Sequence, residues 1–251
     1  MLIINSSVCQ ILGKSLSLYI LFAFIGLCIG ILTGLLICRE RNLQHSFVFR
    51  MVLFILLIGF IPKAFISRMP SFMLSFSYFA GLFVAVILFM IIGRTFNKNP
   101  IHCCEIGLIC MNIYFLFSKI GCFFAGCCHG NPYNGFLSVT YTEGTHAFLY
   151  GVPLFPVQLA DAAARTAIIV IMIAMYYKDI FHSVRLPLFF CLTGICYYWS
   201  MFFWYEPCKT VNQNGIDYIL IFTILFGAGA LLCVLFQLLY NARKTINKSY
   251  I

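Results

Sequence analysis

Seven long apolar runs, at about 15–38, 51–66, 72–93, 101–118, 157–177, 186–205 and 217–240, dominate this chain of 251 residues and limit what it can fold into. Most reach the ~20 residues that a helix needs to cross ~30 Å of hydrocarbon. Lipid offers the backbone no water to bond with, so each such run must satisfy its own N–H and C=O groups as a helix. The second and fourth runs are short and Pro62 interrupts the second, so counts of six or eight also fit the pattern. Charged residues are 9% of the chain and hydrophobic ones 63%, against roughly 25% charge in an average soluble domain. The expectation is an all-α integral membrane protein. Residues 1–251 form one polytopic domain of about seven transmembrane helices, with a polar outer-face loop, 119–156, between helices four and five. The first run does not read as a cleaved signal: it is too long, lacks a small-residue cleavage site and ends in the arginines of CRERN.

Lysine and arginine bias predicts the orientation. With the amino terminus outside, the inner segments hold Arg39, Arg41, Arg50, Arg94, Lys98, Lys178, Arg185, Arg243, Lys244 and Lys248, and the outer ones Lys14, Lys63, Arg68, Lys119 and Lys209. Arg165 lies inside a span. The carboxyl terminus is then inside, and the net charge of +9 follows from inner loops facing an anionic leaflet. No nucleic-acid motif is present.

Thirteen cysteines are spread along the chain. Most, such as Cys28, Cys110, Cys191, Cys196 and Cys233, lie in apolar spans where a thiol acts as a small hydrophobe. The exception is KIGCFFAGCCHGNPY, residues 119–133, where Cys122, Cys127, Cys128 and His129 stand close together with Lys119. Zinc is one reading, although the spacing lacks two C-x-x-C pairs and neighbouring cysteines would have to strain to share an ion. A disulfide on an oxidising face is another. Small residues that let helices pack closely are a third; that accounts for Gly121, Ala125 and Gly126 but not for Lys119, His129 and Pro132.

KIGCFFAGCCHGNPY, followed by GVPLFPVQLADA at 151–162 and preceded by LYILFAFIGLCIG at 18–30, resembles the signature region of the prolipoprotein diacylglyceryl transferase family. Its cysteine-motif branch reads G-R-I-G-C-F-x-A-G-C-C-Y/H-G and then H/F-P-x-Q-L-Y-E-A. The resemblance implies transfer at the outer face of a bacterial cytoplasmic membrane. A lipobox cysteine thiol of a preprolipoprotein attacks the glyceryl carbon of phosphatidylglycerol, a diacylglyceryl thioether forms, and glycerol phosphate leaves. Neither a metal nor an organic cofactor is implied. The partners are the phospholipid, the lipobox peptide and the membrane.

Carried over position by position, the family's motif arginine falls on Lys119, which keeps the charge without the bidentate fork. Cys122 and Gly130 stand at motif positions, Gln158 and Leu159 match Q-L, Ala160 replaces the tyrosine and Asp161 the glutamate, and Tyr19 matches the tyrosine of span one. Phe79-Ala80-Gly81 in span three and Tyr198 and Phe202 in span six depart from the family's residues. Gln158, Asp161 and Arg165 share one helix face at i, i+3 and i+7, and ionisable residues inside a span line cavities or pair. The predicted catalytic residues are therefore Lys119, His129, Asp161 and Arg165. The predicted substrate-binding residues are Tyr19, Gly121, Cys122, Gly126, Gly130, Gln158 and Tyr198, the glycines letting backbone approach the ligand.

His102 and Glu105 read as residues snorkelling to the inner surface, His146 as a solvated loop histidine, the aromatic residues Tyr197 to Tyr205 as packing and an interfacial belt, and Gly26 and Gly30 as close-packing contacts. A second function class is a catalytically inert paralogue that binds phospholipid or a lipidated peptide. A transporter is the third, disfavoured because the spans show no paired Gly/Pro breaks in corresponding halves.

Overall fold

The computed structural model describes residues 2–4, 8–11, 14–40, 100–142, 149–180 and 185–203. Helices predominate: α1 (Leu18–Glu40), α2 (Pro100–Phe124), α3 (Val157–Tyr177) and α4 (Arg185–Phe202). They coincide with the predicted first, fourth, fifth and sixth runs. The predicted spans at 51–66, 72–93 and 217–240, with His146 and the span-three position Phe79–Gly81, lie outside the described residues. Among the described helices, three are long and apolar enough to cross a membrane, Leu18–Cys38, Ile101–Phe124 and Val157–Tyr177. At 1.5 Å per residue each is about 30 Å long or more. Arg185–Cys196 is a shorter apolar stretch.

Two small sheets correct the all-α expectation. Strands β2 (Val8–Ile11) and β3 (Lys14–Ser17) form an antiparallel hairpin just before α1. In the second sheet β4 (Val139–Tyr141) is central, with β1 (Leu2–Ile4) parallel on one side and β5 (Pro153–Leu154) antiparallel on the other. The described parts of the segment expected as a polar loop, 125–142 and 149–156, therefore form a folded cap over the end of α2 and the start of α3. It has its own apolar cluster of Phe123, Val139, Tyr141, Leu149 and Leu154.

Around an apolar core, large apolar side chains also stand on the surface while several charged ones are buried. Phe24, Leu32, Val170 and Ile195 are each more than half exposed, whereas Glu105, Asp161, Arg165 and Arg185 are almost completely buried. In water an outer surface of this kind would be an adhesive patch; against acyl chains it is a matched solvent. Lipid also removes the hydrophobic drive between helices, leaving close packing and polar contacts to hold them. Both are present. On α1, Gly26, Gly30 and Gly34 form a stripe at four-residue spacing against α2, where a Cβ at Gly30 would stand 3.0 Å from the Cys110 carbonyl oxygen and one at Gly34 2.9 Å from the Cys110 sulfur. The expected packing role of Gly26 and Gly30 is what the helix pair uses.

Two helices end by the same device. After α2, Cys127 N–H donates to Cys122 O (3.1 Å) and Gly126 N–H to Phe123 O (3.4 Å), with Gly126 at φ +57°. After α3, Ile180 N–H donates to Met175 O (3.2 Å) and Asp179 N–H to Tyr176 O (3.4 Å), with Asp179 at φ +51°. These are Schellman caps, closed by one residue in the left-handed region. Each sets the direction in which the chain leaves the helix bundle.

Candidate functional site

The site begins with a buried carboxylate. Asp161, one turn into α3, meets Lys119 of α2 across the helix pair, Nζ to Oδ2 3.2 Å, and Arg165 on its own helix, Nε to Oδ1 2.9 Å. Four-residue spacing stacks Asp161 and Arg165 on one face, and α2 packs against that face. Arg165 Nη1 also donates to Asn112 Oδ1 (3.4 Å), and its guanidinium carbon lies 5.3 Å from the Phe115 ring centroid. Asn112 Nδ2 in turn donates to Leu108 O (3.0 Å) and to Thr193 Oγ1 of α4 (3.2 Å), while the Cys196 thiol donates to Asp161 Oδ1 (3.4 Å).

Three predicted residues, Lys119, Asp161 and Arg165, are thus brought together in one network that ties α2, α3 and α4. Asn112, Thr193 and Cys196 were missed. Asn112 was detectable: it lies seven residues before Lys119, hence on the same helix face, inside an apolar run where an amide needs a partner. Thr193 and Cys196 carry no such mark.

Above this network sits the motif turn. Gln158 Nε2 donates to Cys127 O at 2.7 Å and reaches Tyr141 Oη at 3.5 Å, which pins the turn to α3; its Oε1 is buried with no hydrogen-bond partner among the described residues. His129 is buried edge-on against Tyr141, ring centroids 5.0 Å apart. No family model matches this chain, and no curated protein does.

That geometry gives each motif glycine a local role. Gly126 closes the cap of α2, a conformational role. At Gly121 a Cβ would stand 3.0 Å from Tyr19 Cα and 3.1 Å from Phe22 Cβ, and at Gly130 it would collide with the Phe155 carbonyl. The space where a side chain would stand at Gly121 and Gly130 is filled by protein, so these glycines admit α1 and the Phe155 backbone. Tyr19 accepts from Ser118 Oγ (3.0 Å) and joins α1 to α2. The Tyr198 and Phe202 side chains lie outside the described residues.

The sulfur atoms of Cys122, Cys127 and Cys128 lie within 4.8 Å of one another. The Schellman cap causes the first approach, because it places its last residue, Cys127, over the residue that starts it, Cys122. The second approach comes from Cys128, which adopts φ +56°, an uncommon conformation for a residue with a Cβ. Turned this way, adjacent cysteines converge instead of pointing apart, and the left-handed φ of Cys128 is the backbone strain expected of neighbours that share a ligand. Hydrogen bonds from Cys122 and Cys127 hold the Cys128 thiol well below its ordinary value against the effect of burial, and Lys119 and His129 add to the lowering. Cys127 is pushed up to about 12: the hydrogen bond with Cys122 lowers it, but the one with Cys128 and burial together outweigh that.

At the opposite end of the bundle the snorkelling expectation fails. Glu105 is fully buried and holds Arg185 in a two-pronged pair, Nε to Oε1 and Nη2 to Oε2 both 2.8 Å, with His102 Nδ1 at 3.1 Å from Oε2. Arg185 Nη1 completes its fork on Met175 O and Asp179 Oδ1, each 3.1 Å away. Arg185, expected among the loop cations, is a buried structural clasp.

Proposed function

We propose that this chain is a membrane transferase that moves a diacylglyceryl group from phosphatidylglycerol to the lipobox cysteine of a preprolipoprotein, with the motif end at the outer face of a bacterial cytoplasmic membrane. One observation carries the reading: Lys119 and Arg165, from two helices, converge on Asp161 directly beneath the motif turn. The reaction needs fixed positive charge for the phosphate, because the acceptor sulfur forms a C–S bond with the glyceryl carbon while the C–O bond breaks and its electron pair leaves on glycerol phosphate. Cations held in a low-dielectric site stabilise that developing charge without reorganising. Lys119 and Arg165 take this role, and Asp161 orients both. His129, Gln158 and Tyr141 hold the turn that roofs the site.

A second reading, an inert paralogue that binds lipid or uses the triad only to hold helices, has its own support: each oxygen of Asp161 is already engaged by a cation. Purified protein in phosphatidylglycerol vesicles with a lipobox peptide separates the two. The expected product is the peptide with a diacylglyceryl thioether, read by mass. Lipid binding with no thioether and no glycerol phosphate released would leave the inert reading.

A further inference from the structure

The three-thiol cluster is not needed by a reaction whose only thiol belongs to the acceptor, yet the chain uses a helix cap and a left-handed cysteine to assemble it. We propose that Cys122, Cys127 and Cys128 hold one zinc ion with its fourth position open, and that the acceptor thiol binds there as its thiolate. The second half rests on the transferase reading above; the first does not.

Three observations support the site. The sulfurs lie within 4.8 Å of one another, and Zn–S bonds of about 2.3 Å place tetrahedral sulfurs roughly 3.8 Å apart, so closure needs only side-chain adjustment. Cys122 is buried on the last turn of α2 and Cys127 and Cys128 are half-buried on the turn that follows, so all three ligands come from one short capped segment. Gln158 holds the Cys127 carbonyl at 2.7 Å, a support for the turn that carries two of the ligands, of the kind that orients metal ligands. Three protein ligands and one exchangeable position are the pattern of zinc sites that do chemistry.

Zinc would meet the one demand the cation pocket leaves unmet. A metal ion generates an anionic nucleophile at neutral pH, here the acceptor sulfur, whose proton passes to solvent as the thiol displaces water. Lys119 lies three residues before Cys122 on the same helix face. A zinc-bound thiolate and a phosphate held at Lys119 would therefore be neighbours, with the sulfur attacking the glyceryl carbon and the C–O electron pair leaving on phosphate.

The test uses the full chain, reduced and in detergent. Titration with Zn2+ should give one ion per chain by elemental analysis, and Co2+ in its place should give sulfur-to-cobalt charge-transfer absorption. Both should be lost when Cys122, Cys127 and Cys128 are all changed to Ser, with helical content by circular dichroism unchanged. Adding a cysteine-containing lipobox peptide should raise the charge-transfer intensity by about a third, one further sulfur on three. Absent binding in the reduced wild-type chain, which includes the case of a disulfide that gives way to no metal site on reduction, would overturn the proposal; so would binding undiminished in the triple variant or an unchanged spectrum with peptide. Thioether formation by chelator-stripped protein at the full rate would overturn the second half, zinc activation of the acceptor thiol, while leaving the transferase reading intact. Metal and peptide binding without thioether formation would instead remove the transferase reading and keep the site.

Discussion

Arg185 and Glu105, eighty residues apart, face each other through two 2.8 Å contacts in a fully buried pair. The pair joins the start of α4 to the second turn of α2, and Asp179 draws the end of α3 to the same guanidinium. Removing one partner leaves a buried charge uncompensated, at a cost of about 3–5 kcal/mol. Glu105→Ala should therefore lower the thermal midpoint of the detergent-solubilised protein sharply, and the double change Glu105→Leu with Arg185→Met should recover most of the loss. A Glu105→Ala protein as stable as wild type would show that Arg185 is not left as an uncompensated buried charge.

Lys119 and Arg165 supply the phosphate-binding charge in the proposed reaction. Losing a charged partner of a buried anion costs about 2–5 kcal/mol, and 1.4 kcal/mol is a factor of ten. Lys119→Gln and Arg165→Gln should each reduce phosphatidylglycerol binding or turnover by about tenfold or more, with Asp161→Asn milder because that carboxylate orients the cations. Folded variants of both cations with normal lipid binding and turnover would remove the pocket.

Cys128 should stand apart from its neighbours in the reduced, metal-free protein. The thiolate is the reactive form, so alkylation slows roughly tenfold for each pH unit below a thiol's pKa. Lowering the pH from about 8.5 to about 6.5 should slow ordinary thiols and Cys127, whose value is raised to about 12, by about a hundredfold. Cys128, held low by its two thiol donors, should slow far less. Residue-resolved mass spectrometry after iodoacetamide treatment reads the difference, and equal slowing at all three positions would contradict it.

The helix cap gives a prediction independent of function. Gly126 sits at φ +57°, where a Cβ costs about 1 kcal/mol or more, so Gly126→Ala should destabilise the protein by that amount. At Gly130 an added Cβ meets the Phe155 carbonyl, and Gly130→Ala should cost more, since backbone must shift. Thermal midpoints of the two variants compared with wild type check the order.

Orientation rests on the charge bias alone and is directly measurable. Thr142 is exposed at the end of β4. A single cysteine placed there in a background lacking reactive surface thiols should be labelled by a membrane-impermeant maleimide in intact cells. Protection at 142 together with labelling in the 39–50 segment would invert the proposed topology.

The helices at 18–40, 100–124, 157–177 and 185–202 were legible in the sequence because length and apolarity are local properties, and a chain in lipid has few ways to satisfy its backbone. The shared face of Gln158, Asp161 and Arg165 was legible for the same reason: helical periodicity is local. Three-dimensional contacts decided the rest. Whether Glu105 snorkels or clasps depends on Arg185, eighty positions away, and periodicity says nothing about a partner at that distance. The strands β4 and β5 are two or three residues long and gain their stability from pairing and from the cluster around Phe123 and Tyr141, so no alternating pattern announces them. Gly121, Gly126 and Gly130 look alike in the motif, yet one admits a helix, one closes a cap and one makes room for a carbonyl, because a glycine's role is set by what occupies the space where its side chain would be. The convergence of three sulfurs depends on two left-handed residues, Gly126 in the cap and Cys128 just after it, backbone conformations that no local sequence pattern announces.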